Sequence, residues 1–274
     1  MVGDTSQPGL SRRPLPRLTA RYVYPSLTLL ALLVLWEVAI VAFRVPDYIL
    51  PGPSQIVAEM IASHSTLWRH TLVTTGEVLA GFALSVVIGV ALGLSIVYSP
   101  FFEGTVYPLL VSSQTVPKVA VAPLFLFWFG FGMTSKIIVA FLIAFFPMVI
   151  ATVIGLRSIE PEMIYLARSM GANPLLTFLK IRLPNAMPNI FGGMKVAITL
   201  AVVGAVVGEF VGADKGLGYV IVLANGALNT RLLFAAITFL SLLGIALFVA
   251  VQLLERLFLP PHLTAQRDET IGTM

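Results

Sequence analysis

Residues 157–184 read RSIEPEMIYLARSMGANPLLTFLKIRLP, and the rest of the chain is organised around this stretch. It is the longest charged insert that does not itself span, and very apolar segments flank it on both sides. Its punctuation predicts two short helices joined by a sharp corner. Pro161 suits a first helical position, and Glu160 and Glu162 favour the positive end of that helix. Met163, Leu166, Ala167 and Met170 recur at helical spacing and form one apolar face. Gly171 supplies the left-handed residue that stops the helix. Asn173 caps a second helix that starts at Pro174, and Pro184 is expected to end it. A rigid elbow between membrane spans suits the docking of a soluble partner.

The composition reads as that of an integral membrane protein built as one bundle. Of 274 residues, 58% are hydrophobic and 11% charged, whereas a soluble domain is about one quarter charged. The expected fold is therefore all-α, a polytopic bundle of about six transmembrane helices. The permease-like core is read at 25–262, with the elbow at 157–184 and polar cytoplasmic tails at 1–24 and 263–274. There is no cysteine, which excludes disulfides, thiolate chemistry and cysteine metal sites. The net charge of +4 does not point to nucleic acid, because the basic residues flank apolar runs and form no patch with aromatics.

The apolar runs place spans at about 26–43, 71–98, 107–130, 137–156, 190–212 and 233–258. The first is too long for a signal peptide and lacks a small-residue cleavage site. Ser54 is read as the cap of an interfacial helix between the first two spans. Gly81, Ser85, Gly89 and Gly93 fall every fourth residue, as do Gly204, Gly208 and Gly212. Such small-residue stripes let helices approach closely in lipid. The segment around 216–226, GLGYVIVLANG, is apolar yet too short to cross, and reads as an interfacial or re-entrant helix. His64 and His70 sit near a boundary and read as surface residues, with no metal site expected.

The third span is interrupted. Ser112, Ser113, Gln114 and Thr115 precede Val116, Pro117 and Lys118, with Pro123 beyond. Proline removes a backbone hydrogen bond, and unwound backbone is tolerated in a bilayer only inside protein or along a wet cavity. Two readings follow: Ser113, Gln114, Pro117 and Lys118 line a translocation path, or the kink lies at the cytoplasmic side and Lys118 snorkels. Glu209, beside the second glycine stripe near the outer mouth, joins the candidate path. Glu37 reads as a carboxylate facing other helices or a polar crevice.

With the N-terminus inside, ten of the seventeen Lys and Arg fall on the cytoplasmic side and five outside. That excess places both termini and the elbow in the cytoplasm. No GxxxxGK[ST] phosphate loop, HExxH or GxSxG occurs, so this chain has no ATPase or hydrolase site of these kinds. A proton-coupled secondary transporter using Glu37, Glu77 and Glu209 remains the competing reading. It leaves the elbow unexplained.

Tyr165, Leu166, Ala167, then Gly171 and Ala172, then Ile181, Leu183 and Pro184 resemble the coupling loop of ABC-importer permeases. That loop reads EAA, three residues, Gly, nine residues, Ile-x-Leu-Pro. The spacing is intact, with Tyr165 in place of the family's Glu and Leu166 in place of its first Ala. SQTVPKVAVAPLFLFWFGFG, AFFP and GGMKVAITLAVVGAVVGEFVGADKGLGY extend the resemblance over roughly 50–262. They look like the nitrate/sulfonate/taurine branch, and most like permeases for thiamine-pyrimidine precursors or riboflavin. The resemblance implies a type I importer fold and a plasma-membrane homodimer. It also implies two separate ATPase subunits that bind the ATP, and an extracytoplasmic binding protein.

Overall fold

The computed structural model describes residues 17–259, with side chains from Val23 onward. It is built from α1 (Arg17–Phe43), α2 (Pro53–Ala62), α3 (His64–Tyr98), α4 (Tyr107–Ser113), α5 (Lys118–Phe129) and α6 (Met133–Arg157). It continues with α7 (Pro161–Ser169), α8 (Pro174–Thr177), α9 (Leu183–Gly212), α10 (Leu217–Gly226) and α11 (Thr230–Phe258). Five helices are long and apolar enough to cross a membrane, and the bent pair α4 and α5 brings the number to six. The expected helix bundle is therefore present. α1 starts at Arg17, inside the segment read as a tail, and carries Pro25 in its body. Residues 1–16 and 260–274, which include the whole expected C-terminal tail at 263–274, lie outside the described residues.

The centre of the bundle is α6, clasped between α3 and α9. The two glycine stripes explain why. A Cβ added at Gly81 would lie 2.6 Å from Ala140 Cβ, and one at Gly204 would lie 2.6 Å from Ala140 Cα. Ala140 is thus pinched from both sides at once. Further along, Gly89 abuts Met148 and Gly93 abuts Thr152. Real Cβ atoms do not approach so closely, so the missing side chains let three backbones meet where dispersion must do the work of association. Val78, Ala144, Ala197, Ala201 and Ala205 fill the seam.

α1 lies at the edge, its apolar length exposed along most of its course. It is tied to the bundle by Trp36, whose ring lies 6.1 Å from that of Phe234, and by a polar contact. Glu37 accepts hydrogen bonds from Ser54 N at 3.0 Å and Ser54 Oγ at 2.6 Å. Glu37 thus faces a neighbouring helix, as expected. Ser54, however, is not the cap of α2. Gly52 precedes Pro53 there, and the Gln55 side chain accepts from Gly52 N at 3.2 Å. Asp47 braces the same corner through an ion pair with Arg231 and a hydrogen bond from Gln55 Nε2 at 3.0 Å.

Pro184 does not end the helix that begins at Pro174. The chain passes from α8 through a π turn, Phe178–Arg182, directly into α9, and the pieces form one run, Pro174–Gly212. In a regular helix the Pro184 ring would collide with the carbonyl four residues earlier. The π turn shifts the register, with Leu183 N bonding to Phe178 O, and Pro184 falls in the first turn of α9. The proline sets a register change inside a continuous rod.

Candidate functional site

At one end of the bundle stands the elbow. α7 opens at Pro161 with Glu162 in its first turn. It ends on Gly171 at φ +80°, with Gly171 N bonding to Arg168 O and Ala172 N to Ala167 O, both at 3.0 Å. These two bonds are a Schellman closure, and a left-handed residue is what makes it. Asn173 Oδ1 then accepts from Leu176 N at 2.7 Å and starts α8. The corner is fixed by the backbone at every step.

The elbow's apolar residues point away from the bundle. Tyr165 is 67% exposed, Leu166 62% and Met170 79%, while Ala167 alone of that face is buried. Ala167, Met170, Gly171, Ala172, Lys180 and Ile181 border a groove of about 260 Å³. The base of the elbow is anchored to α3, where Tyr98 meets Phe178 edge-on at 6.0 Å and Arg182 lies 5.3 Å from the Tyr98 ring. Leu183 packs beneath, against the cluster of Met148, Leu156, Ala186 and Ile190. The eight coupling candidates thus gather in one corner that runs without a flexible joint into α9.

The break in the third span lies in the segment expected. α4 and α5 meet at 98° across residues 114–117. Lys118 is the first residue of α5, and its Nζ donates to Gln114 Oε1 at 2.7 Å and lies 5.6 Å from the Phe146 ring. Two cavities of about 320 Å³ each open beside the break. Both are bordered by Gln114, Val116 and Lys118, and Ser113 lines one and Pro117 the other. Four of the five path candidates therefore share one wall.

The fifth, Glu209, is elsewhere. It is 1% exposed and accepts hydrogen bonds from Thr74 Oγ1 at 2.6 Å and Gly218 N at 2.5 Å. Glu77, fully buried, borders it and pairs with Lys136, which is 3% exposed. Lys136 thus belongs to the interior. His70 is likewise buried and not a surface residue: its Nδ1 accepts from Gly216 N at 3.0 Å, and its ring lies 5.8 Å from Tyr219. Leu217 N donates to Thr74 Oγ1 at 2.9 Å. Four helices, α3, α6, α9 and α10, are tied together by this cluster at the end opposite the elbow. Gly216, at φ +115°, and Gly218 leave room for the Glu209 carboxylate, which a Cβ at either position would overlap. Above it lies a cavity of about 660 Å³ bordered by Arg69, His70, Asp214, Lys215 and Tyr219. Sequence reading found Glu209 and Glu77 as charges in spans but could not pair them, because their partners come from other helices.

The comparisons agree with this geometry. Residues 85–259 match the family model described as binding-protein-dependent transport system inner membrane component. The chain is 40% identical over 237 residues to the formylaminopyrimidine transport permease protein of Halalkalibacterium halodurans, covering 86% of this chain and 94% of the relative. It is 40% identical over 250 residues to the riboflavin transport system permease protein of Chloroflexus aurantiacus, covering 89% and 93%. Among solved structures, an inward-facing form of the MetNI methionine ABC transporter superposes with a TM-score of 0.61 at 21% identity, covering 71% of this chain and 97% of that one.

Proposed function

The chain belongs to the binding-protein-dependent transport system inner membrane components, the permeases of ABC importers, and from that premise we propose how it works. It acts as a homodimer with two separate ATPase subunits, and an extracytoplasmic binding protein delivers a small organic nutrient. Both termini and the elbow face the cytoplasm. ATP is bound and hydrolysed by the partner subunits, and this chain supplies no catalytic residue. The nutrient is a pyrimidine thiamine precursor or riboflavin, with sulfonates, taurine or nitrate next in order. Relatives named for formylaminopyrimidine and riboflavin, at 40% identity, and for sulfonates and taurine, at 27–34%, support placing the first two ahead.

The observation that carries the reading is the elbow's exposed apolar face on an inflexible corner. A soluble ATPase domain that grips this face and closes on ATP would carry the elbow with it. No loose joint separates α8 from α9, so the displacement passes into the glycine-packed centre of the bundle and alternates access. Solute passes the break between α4 and α5, along Ser113, Gln114, Pro117 and Lys118. The proton-carrier reading fits less well, because Glu37, Glu77 and Glu209 each hold helices together through partners already described. Co-purification in mild detergent tests the assembly: the chain should bring down an ATPase and a binding protein, and retrieval of neither would contradict it.

A further inference from the structure

Three intramembrane lysines serve different ends. Lys136 is paired with Glu77, and Lys195 with Glu255 at 2.5 Å. Lys118 enters none of the ion pairs among the described residues, and its ammonium meets one acceptor, Gln114 Oε1. An ammonium has three protons to donate, and an unmatched charge on a membrane helix is costly unless it faces water or a ligand. Lys118 faces two cavities, each large enough for a small molecule. One is bordered by Phe125 and Phe145, and Phe146 lies under the ammonium. The other is walled by Ile143, Pro147, Leu200 and Val203.

We propose that Lys118 is a specificity-determining residue for the transported solute, acting with Gln114 at the helix break. The site takes a flat, neutral or anionic molecule that carries hydrogen-bond acceptors. The free ammonium protons and the Gln114 amide donate to those acceptors. The aromatic and aliphatic walls hold the body of the ring, as in most small-molecule pockets. The same ammonium repels organic cations. Among the described residues no acid pairs with Lys118, so the passing solute is left to supply the counter-charge or acceptor. This inference rests on the transport reading above and names the solute class that the break selects.

The chain's lack of cysteine provides the test. Ser113→Cys puts one thiol on the wall of the cavity, and Val87→Cys puts one on an exposed apolar face of α3 as a control. Each variant, purified with its ATPase, is reconstituted in nanodiscs and titrated with a hydrophilic thiosulfonate. Ser113→Cys should react much faster than Val87→Cys. Orotate, a flat anionic pyrimidine, should slow that reaction several-fold, and thiamine, whose pyrimidine carries a thiazolium cation, should not. The slowing is taken as a rate ratio within each variant. It should vanish in Lys118→Met and in Gln114→Glu, which supplies an internal counter-charge, and should persist in Lys118→Arg. Equal slowing by thiamine, slowing that survives Lys118→Met, or a Ser113→Cys thiol as inert as Val87→Cys would overturn the proposal. ATP-driven uptake by the same variants in sealed proteoliposomes, with the ATPase and binding protein present, reports separately on the transport reading. Uptake without protection removes the site alone, and protection without uptake removes the transport role alone.

Discussion

Lys136 and Lys118 both lie on membrane helices, and their surroundings are opposite. Lys136 is sealed at the end away from the elbow, against Glu77, with Glu209 and Thr74 beyond. Lys118 stands at an open break with one amide for company and cavity on two sides. A buried charge with its partner in place holds helices together, and its removal is felt as stability. A charge without a counter-ion beside a cavity contributes little to the fold, and its removal should be felt as function. The same residue type is thus a rivet in one place and, in the proposal above, a contact for solute in the other.

That contrast can be broken most directly at the rivet. Lys136→Met leaves Glu77 buried without its cation, which costs about 3–5 kcal/mol when one member of a buried pair is removed. The expected outcome is a large drop in folded yield and thermal midpoint in detergent, partly restored in Glu77→Gln/Lys136→Met. Equal stability of the single and double variants would contradict the pairing. Next in size is Gly204→Val, which drives a side chain into Ala140 of α6. Overpacking of this kind costs roughly 1–3 kcal/mol, read as a lowered unfolding midpoint. Gly171→Val has free space around it, so its cost is backbone strain from the positive φ, about 1–2 kcal/mol. The elbow should distort while the bundle stays folded, so uptake should fall with ATP hydrolysis uncoupled from it.

Lys118→Met tests the open break in the same way. Its stability should stay within about 0.5 kcal/mol of the parent, as for substitutions away from packed cores, while solute handling changes. The smallest effect is expected at Asp47. The Arg231 hydrogen bond, and then that of Gln55, hold its carboxyl below the ordinary carboxylate range. A lowered folded value means that the stabilising contact is fully present above the ordinary aspartate pKa and fades as pH falls through the lowered one. The unfolding midpoints of the parent and Asp47→Asn should therefore differ slightly near neutrality and converge in acid.

What the chain discloses in sequence is what one helix settles alone. Pro161, Gly171, Asn173 and Pro174 fix the elbow through local backbone chemistry, and the structure builds the corner they imply. The glycine stripes announce close packing, since a period of four marks one face of one helix. They do not say that both stripes press on Ala140, because the partner is a matter of tertiary arrangement. Long-range polar pairing was hidden for the same reason. Glu209 reads as an outer-mouth carboxylate, yet Thr74, 135 positions away, closes over it. His70 reads as a boundary residue, and the start of α10 covers it. Pro184 reads as a stop because proline usually is one, and the π turn before it removes the clash.

In the mechanism proposed above, a motor outside this chain drives it through the elbow. The most direct test is uptake of labelled riboflavin or formylaminopyrimidine into proteoliposomes holding the permease, its ATPase and its binding protein. Uphill accumulation should require ATP and the ATPase and should be lost in Gly171→Val. Accumulation by the permease alone, without nucleotide, would contradict it.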